Sequence, residues 1–394
     1  SVSSEPQEED YDEEDDQDQE ILRKPSSLSE LKRKQTTAVI LLGVIGAEFG
    51  QDISQDSPAR SAASLDRRKS SVVEGFGINN NLARLTSMAL AHLLYAPPTA
   101  KLPKYTPLRR AAIDLIGRGF TVWEPYLDVS KVLLGLLEIS CEGKFVPNLN
   151  YKLPLTPQAD ACRTARHALR LIATARPAAF ITTMAREVAR YNTMAQNAQS
   201  INVPLTQSVL FKAKAEILQC VEMLIDKMQS EIAGLLVEVM DITLHCVDNN
   251  ELKARGLSEV CPTICKFAQI SHCAASRRIA VGASNGNLAI YELRQNKCQM
   301  IPAHTHPITS LAFSPDGKYL VSYSCSENRL SFWQTSTGMF GLGQSQTRCT
   351  KGYSTAPIPD VSRLNPMRLA NLVWINNRTV TLMLADGSET RFNV

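Results

Sequence analysis

Between about Thr36 and Gly256 apolar residues recur at intervals of three and four, the period of one helix face, and Pro and Gly fall mainly at the breaks. Leu82, Leu85, Ala89, Leu93 and Leu94 form one stripe; Val132, Leu133, Leu136, Leu137 and Ile139 form another. Each stripe has to be buried, because helices of ordinary length owe most of their stability to packing of the apolar face. Three starts recur at an interval of roughly 50 residues: Thr106 before Pro107, Thr156 before Pro157, and Thr206-Gln207-Ser208. A Thr before Pro caps an orphan N–H and places proline at the first helical position, where its missing donor costs nothing. After each start the pattern predicts two helices, 107–118 with 126–140, 157–175 with 178–191, and 208–229 with 231–247. Helix pairs at this interval are the unit of HEAT- and armadillo-like arrays, so the expectation for 36–256 is an α-solenoid. One irregular helical bundle uses the same stripes and remains the alternative.

From about Cys261 the pattern changes to short β-branched and aromatic runs separated by Gly, Asn, Asp and Ser, which is strand and turn chemistry. Three segments align on one another: Arg278 to Tyr291, Tyr319 to Trp333, and Thr379 to Phe392. In each, a polar turn joins two strands and an aromatic follows the turn. The reading is a repeating hairpin over 263–394.

These residues resemble the WD-repeat family. Ala303-His304 stands where that motif has Gly-His, and Leu311-Ala312-Phe313-Ser314-Pro315-Asp316-Gly317 matches its second strand and turn. Tyr291-Glu292, Trp333-Gln334 and Phe392-Asn393 take the place of Trp-Asp. The resemblance implies β-propeller blades and a buried structural tetrad of His304, Ser322, Glu327 and Trp333, with Glu in place of the usual Asp. At ~40–45 residues per blade, 263–394 supplies two blades and most of a third, whereas a closed propeller needs ~4–8. The complement is expected from elsewhere in a longer polypeptide or from a partner chain. The first residue is Ser1 and no signal peptide follows, which fits an internal or carboxy-terminal piece.

Composition adds three points. Eleven acidic side chains and no basic ones lie between Glu5 and Glu20, so the net charge of +3 conceals a markedly basic remainder. The stretch 1–35 is too acidic and apolar-poor to offset its ordering entropy, and disorder is expected there. Elsewhere Lys and Arg are spread along the chain with few aromatics among them, which argues against nucleic-acid binding. A polar loop is expected near 51–81, and Ser70, after Arg67-Arg68-Lys69, is a possible phosphosite.

Candidate chemistry is sparse. The sequence holds no GxxxxGK[ST], HExxH or GxSxG motif, so neither an enzyme nor a cofactor is expected. Ten cysteines without a dense framework read as reduced thiols, which points to the cytoplasm. Cys261, Cys265, His272 and Cys273 offer four soft donors, but adjacent residues of a strand point to opposite faces, so a metal site is not expected.

Two longer runs, Thr37 to Gly50 and Phe313 to Ser322, are similar to the carboxy-terminal part of the rabconnectin beta subunits, a family of WD-repeat proteins. That resemblance implies a noncatalytic scaffold that binds a DMX-like rabconnectin alpha subunit and the cytosolic sector of the V-ATPase, with Rab GTPase regulators as further partners. It also implies vesicle acidification as the setting and peripheral association with cytoplasmic, including synaptic, vesicles through those partners. A WD-repeat substrate receptor of a ubiquitin ligase is the alternative, and a cryptic hydrolase a third.

Overall fold

The computed structural model describes residues 30–41, 43, 70–142, 155–197, 204–336, 346–358 and 369–394, with the backbone alone over 70–81. The acidic run Glu5 to Glu20 and residues 51–69 of the expected loop lie outside these. Residues 30–35, expected to be disordered, are helical. The backbone is also helical from Ser70 onward, where Val72, Val73 and Phe76 stand at helical spacing, so the expected loop does not reach 81. The chain divides into two compact units, Ser1–Ala168 and Leu169–Val394. The change from helix to strand falls between Val260 and Ile270, well inside the second unit.

In the first unit α1 (Ser70–Tyr95), α2 (Pro107–Arg118) and α3 (Val129–Glu142) pack around Leu90, Ile116, Phe120, Trp123, Leu133 and Leu137. Thr106 caps α2 as its composition requires, its Oγ1 accepting from Arg109 N at 3.2 Å with Pro107 in the first position. Thr156 does the same for the N-terminus of α4 (Pro157–Ala175), accepting from Ala159 N at 3.2 Å. Val132, Leu133, Leu136 and Leu137 are fully buried. The stripe on α1 is rotated from the expected one. Ala83, Thr86, Ser87, Leu90, Leu93 and Leu94 face inward, whereas Leu85 and Ala89 are exposed. Both faces of this segment are apolar or small, so periodicity alone could not choose between them.

The second unit begins with the last turns of α4, then α5 (Pro177–Gln196), α6 (Lys214–Lys227), α7 (Leu236–Cys246) and α8 (Asn249–Arg255). α7 packs against both α5 and α6. The third expected start fails. Thr206 sits inside a 3-10 turn, Leu205–Gln207, and a one-turn helix, Val209–Lys212, breaks at Ala213 before α6. Gln207 has no ring to pre-set the first helical φ, so this site lacks what fixes the other two. The expected helix 231–247 is likewise interrupted by a 3-10 turn, Ala233–Leu235, centred on Gly234, which lowers helix propensity. Asp248 caps α8 and Gly256, at φ 85°, ends it.

Among the described residues three antiparallel sheets follow. The first contains β1 (Ile270–Cys273), β2 (Arg278–Gly282), β3 (Asn287–Glu292) and β4 (Lys297–Pro302); the second contains β5 (Ser310–Phe313), β6 (Tyr319–Ser324), β7 (Arg329–Ser336) and β8 (Gln346–Ser354). The third contains β9 (Ala370–Trp374), β10 (Thr379–Leu384) and β11 (Glu389–Asn393), with β10 in the middle. The inner strands β1, β5 and β9 lie side by side in that order. Leu311 N donates to Ala268 O at 2.8 Å, and Trp374 Nε1 to Ala312 O at 3.1 Å. Ala280, Leu288 and Ile290 meet Leu311, Leu320 and Trp333 between the first two sheets. Val321, Tyr323 and Phe332 meet Leu372, Val380 and Leu382 between the second and third. Gly286, at φ 83°, turns the β2–β3 hairpin where a Cβ would run into the His304 carbonyl.

Candidate functional site

The register of the second sheet creates a polar pocket inside an apolar seam. Leu320 pairs with Trp333 and Ser322 with Ser331, so these four side chains share the face turned toward the first sheet. His304 arrives from the β4–β5 loop, where its N–H donates to Gly286 O at 3.0 Å. Glu327 comes from the β6–β7 turn. Trp333 Nε1 donates to Ser322 Oγ at 2.8 Å, His304 Nε2 lies 2.8 Å from the same Oγ, and His304 Nδ1 lies 2.7 Å from Glu327 Oε2. Thr305, through its backbone N–H and hydroxyl, and His306 N at 3.2 Å donate to the other carboxylate oxygen.

An indole N–H only donates and a carboxylate only accepts. With the imidazole neutral, the form that burial favours, the Ser322 hydroxyl donates to His304 Nε2 and His304 Nδ1–H donates to Glu327. Burial lowers the His304 pKa below its usual 6.5, against the opposing pull of Glu327. Burial alone would raise Glu327, but the bonds from Thr305 and His304 outweigh it and hold the carboxyl at about 2.

Ser322, His304 and Glu327 have the spacing of a nucleophile, base and orienting acid. Their placement forbids that use. Ser322 is 0% exposed and so is the His304 side chain, and the serine oxygen is already bonded by Trp333. What the chain of bonds does is fix the loop before β5, the β6–β7 turn and the aromatic of β7 in one geometry.

Ser70 is the first residue of α1, and its side chain lies outside the described residues. His272 and Cys273 part as strand geometry requires: Cys273 packs between the first two sheets, while His272 turns to the other face, near Gly256. All ten cysteines are free thiols. Burial pushes Cys220 and Cys246 up to about 12 and Cys261 up to about 11. Among the described residues no cluster of His, Cys, Asp or Glu could hold a metal ion, and no helix is long and apolar enough to cross a membrane.

One contact had no sequence reading. Tyr291, at the position in the first sheet that Trp333 has in the second, donates its hydroxyl to Asp241 Oδ1 of α7 at 2.8 Å and approaches Val237 O at 3.3 Å. Burial raises the Asp241 pKa while this bond opposes it. The pair sits in a cleft of about 450 Å³ lined by Asn192, Asp241, His245, Tyr291, Glu292 and Lys297, among others. An acid between the apolar Met240 and Ile242 was the available signal.

The WD domain, G-beta repeat family matches residues 295–334, a span that includes His304, Ser322, Glu327 and Trp333. Among solved structures, the β-propeller domain of Myceliophteria thermophila Cps50 (Swd1) matches at 14% identity and a TM-score of 0.25, covering 37% of this chain and 42% of that one. This chain therefore spans under half of that domain. No enzyme family is indicated, and the chain carries a WD repeat over residues 295–334.

Proposed function

We propose that this chain is part of a noncatalytic scaffold, a rabconnectin beta-type subunit that binds a DMX-like partner and supports V-ATPase assembly, vesicle acidification and Rab-linked vesicle traffic. The observation that carries the scaffold reading is the sealed Ser322–His304–Glu327 chain. Among the described residues, the constellation that most resembles a catalytic one holds a WD repeat in shape. WD repeats are generally interaction platforms, and the helices offer further surface for partners. The finer identity is supported by the sequence runs Thr37 to Gly50 and Phe313 to Ser322.

In this reading the helices act as a repeat array, the blades present a rigid edge, and the protein reaches cytoplasmic and synaptic vesicles through its partners. Affinity capture with the whole chain from brain or kidney lysate is expected to recover the DMX-like subunit together with cytosolic V-ATPase subunits. Recovery of ubiquitin-ligase subunits in their place would overturn the assignment.

A further inference from the structure

The cleft beside Tyr291 is rich in acceptors that the fold does not use. It opens between α5, α7 and the β3–β4 hairpin, all within the second compact unit, and holds about 450 Å³. Asp241 and His245 both line it, one turn apart on α7, so their Cβ atoms lie about 5–6 Å apart on one helix face. No ion pair joins the two.

Each has half of its bonding capacity spent. Asp241 Oδ1 accepts from the Tyr291 hydroxyl at 2.8 Å, while the half-buried carboxylate has no ion pair among the described residues and its Oδ2 no hydrogen bond. His245 is only 8% exposed. Its Nε2 lies 3.3 Å from the carbonyl of the buried Leu210, and a carbonyl only accepts, so Nε2 carries the ring proton. Tyr191 packs edge-on against the imidazole, ring centroids 4.9 Å apart, and fixes its orientation. Burial lowers the His245 pKa below its usual 6.5 against the pull of the Leu210 bond, so at neutral pH Nδ1 is a bare acceptor on the side of the cleft. Charge balance points the same way. Burial makes the Asp241 charge costly and Glu238 adds to that cost, whereas a bound cation would relieve it. Lys297 stands opposite Glu292 in the β3–β4 register, so those two charges offset each other and leave Asp241 unmatched.

We propose that this cleft is a socket for an arginine side chain presented by a protein partner of the scaffold, its guanidinium donating to Asp241 Oδ2 along one edge and to His245 Nδ1 along the other. Two fixed acceptors and one unmatched negative charge call for a cation with several donors and no acceptor. A guanidinium spreads five N–H donors over a plane, whereas an ammonium presents its three from a single atom. The volume is in the range of clefts that enclose a whole drug-sized ligand, so the aliphatic stem and flanking backbone fit as well as the head group. The proposal rests on the scaffold reading only in taking its occupant to be a protein segment.

Titration of the whole chain with N-acetyl-arginine methylamide, which imitates an arginine inside a polypeptide, is expected to give saturable binding by calorimetry and to shift the His245 ring resonances. The citrulline counterpart, similar in shape but neutral, should bind about tenfold more weakly or worse. Asp241→Asn should lose about tenfold for the blocked arginine. Tyr291→Phe breaks the same Asp241–Tyr291 bond but keeps the carboxylate, and should stay within about twofold, which separates loss of charge from distortion of the cleft. Absence of saturable binding, equal binding of the citrulline form, or equal weakening by both variants would overturn the proposal. Tighter binding of free arginine than of the blocked form would overturn the docking role in favour of a small-molecule site. Each of these failures leaves the scaffold reading standing, since affinity capture decides that separately.

Discussion

Opposite Ile279 in the first sheet stands Tyr291, and opposite Leu320 in the second stands Trp333. The frame is the same, but the polar tips go different ways. Trp333 turns inward and closes a bonded chain within its own repeat, whereas Tyr291 reaches out to Asp241 and ties its sheet to α7. The third equivalent, Phe392, has no polar tip and packs against Tyr353, ring centroids 5.3 Å apart. One hairpin frame thus supports internal locking, attachment to a helix or plain apolar packing, depending on a single side chain. The serine below Trp333 matters as much. The first sheet has Val281 at the place of Ser322, so a tryptophan there would find no hydroxyl.

The sharpest way to break the contrast is Trp333→Ala. It opens a cavity in the seam and strips Ser322 of a donor, so equilibrium unfolding is expected to lose about 3–5 kcal/mol. Trp333→Phe keeps most of the volume and should cost only about 1–2 kcal/mol, the share of the unpaired hydroxyl. A variant series in which the two cost the same would put the stabilisation in the indole N–H bond alone and none of it in ring packing.

Tyr291→Phe comes next, at about 0.5–1.5 kcal/mol for one hydrogen bond. A double-mutant cycle with Asp241→Asn should return a coupling of that order, while a cycle between Tyr291→Phe and Trp333→Phe should be additive. The Asp241 carboxyl should also titrate higher in Tyr291→Phe, since the lost bond was the influence lowering it.

A pH dependence should also follow from the bonded chain of the second sheet. Burial holds His304 below 6.5, so as pH falls the unfolded chain takes up its proton before the folded one does. This contribution is fully present above about 6.5 and is lost as pH falls from there through the folded-state value. Glu327, held at about 2 instead of 4.5, adds a second loss that begins near 4.5 and runs down to about 2. Denaturation of His304→Gln as a function of pH should show the first loss reduced, with the buried His245 and half-buried His272 supplying the remainder, and the second diminished to what the Thr305 bonds maintain.

How far the sequence carried these features depended on where their causes lie. Starts at Thr106 and Thr156 were legible because hydroxyl and proline act within a few residues. The one at Thr206 was not, because Gln207 supplies only half of that chemistry. The inward face of α1 was missed at Leu85 and Ala89 because the opposite face reads as apolar too. His304, Ser322, Glu327 and Trp333 could be named through a resemblance that fixes their places in a repeat. Asp241 could not, since its partner lies some fifty residues away on another kind of element and only packing brings the two together. The division of compact units at Ala168, inside α4, is likewise a property of packing, whereas composition registers only the change from helix to strand.

Native-state hydrogen exchange of the whole chain, compared between Trp333→Phe and Tyr291→Phe, tests the central claim most directly. The account expects the first variant to quicken exchange in β5, β6 and β7 and leave α7 unchanged, and the second to quicken α7, β2 and β3 and leave β6 unchanged. A uniform increase through all of these elements in both variants would contradict it, because the two aromatics would then be anchoring a single cooperative body in the same way.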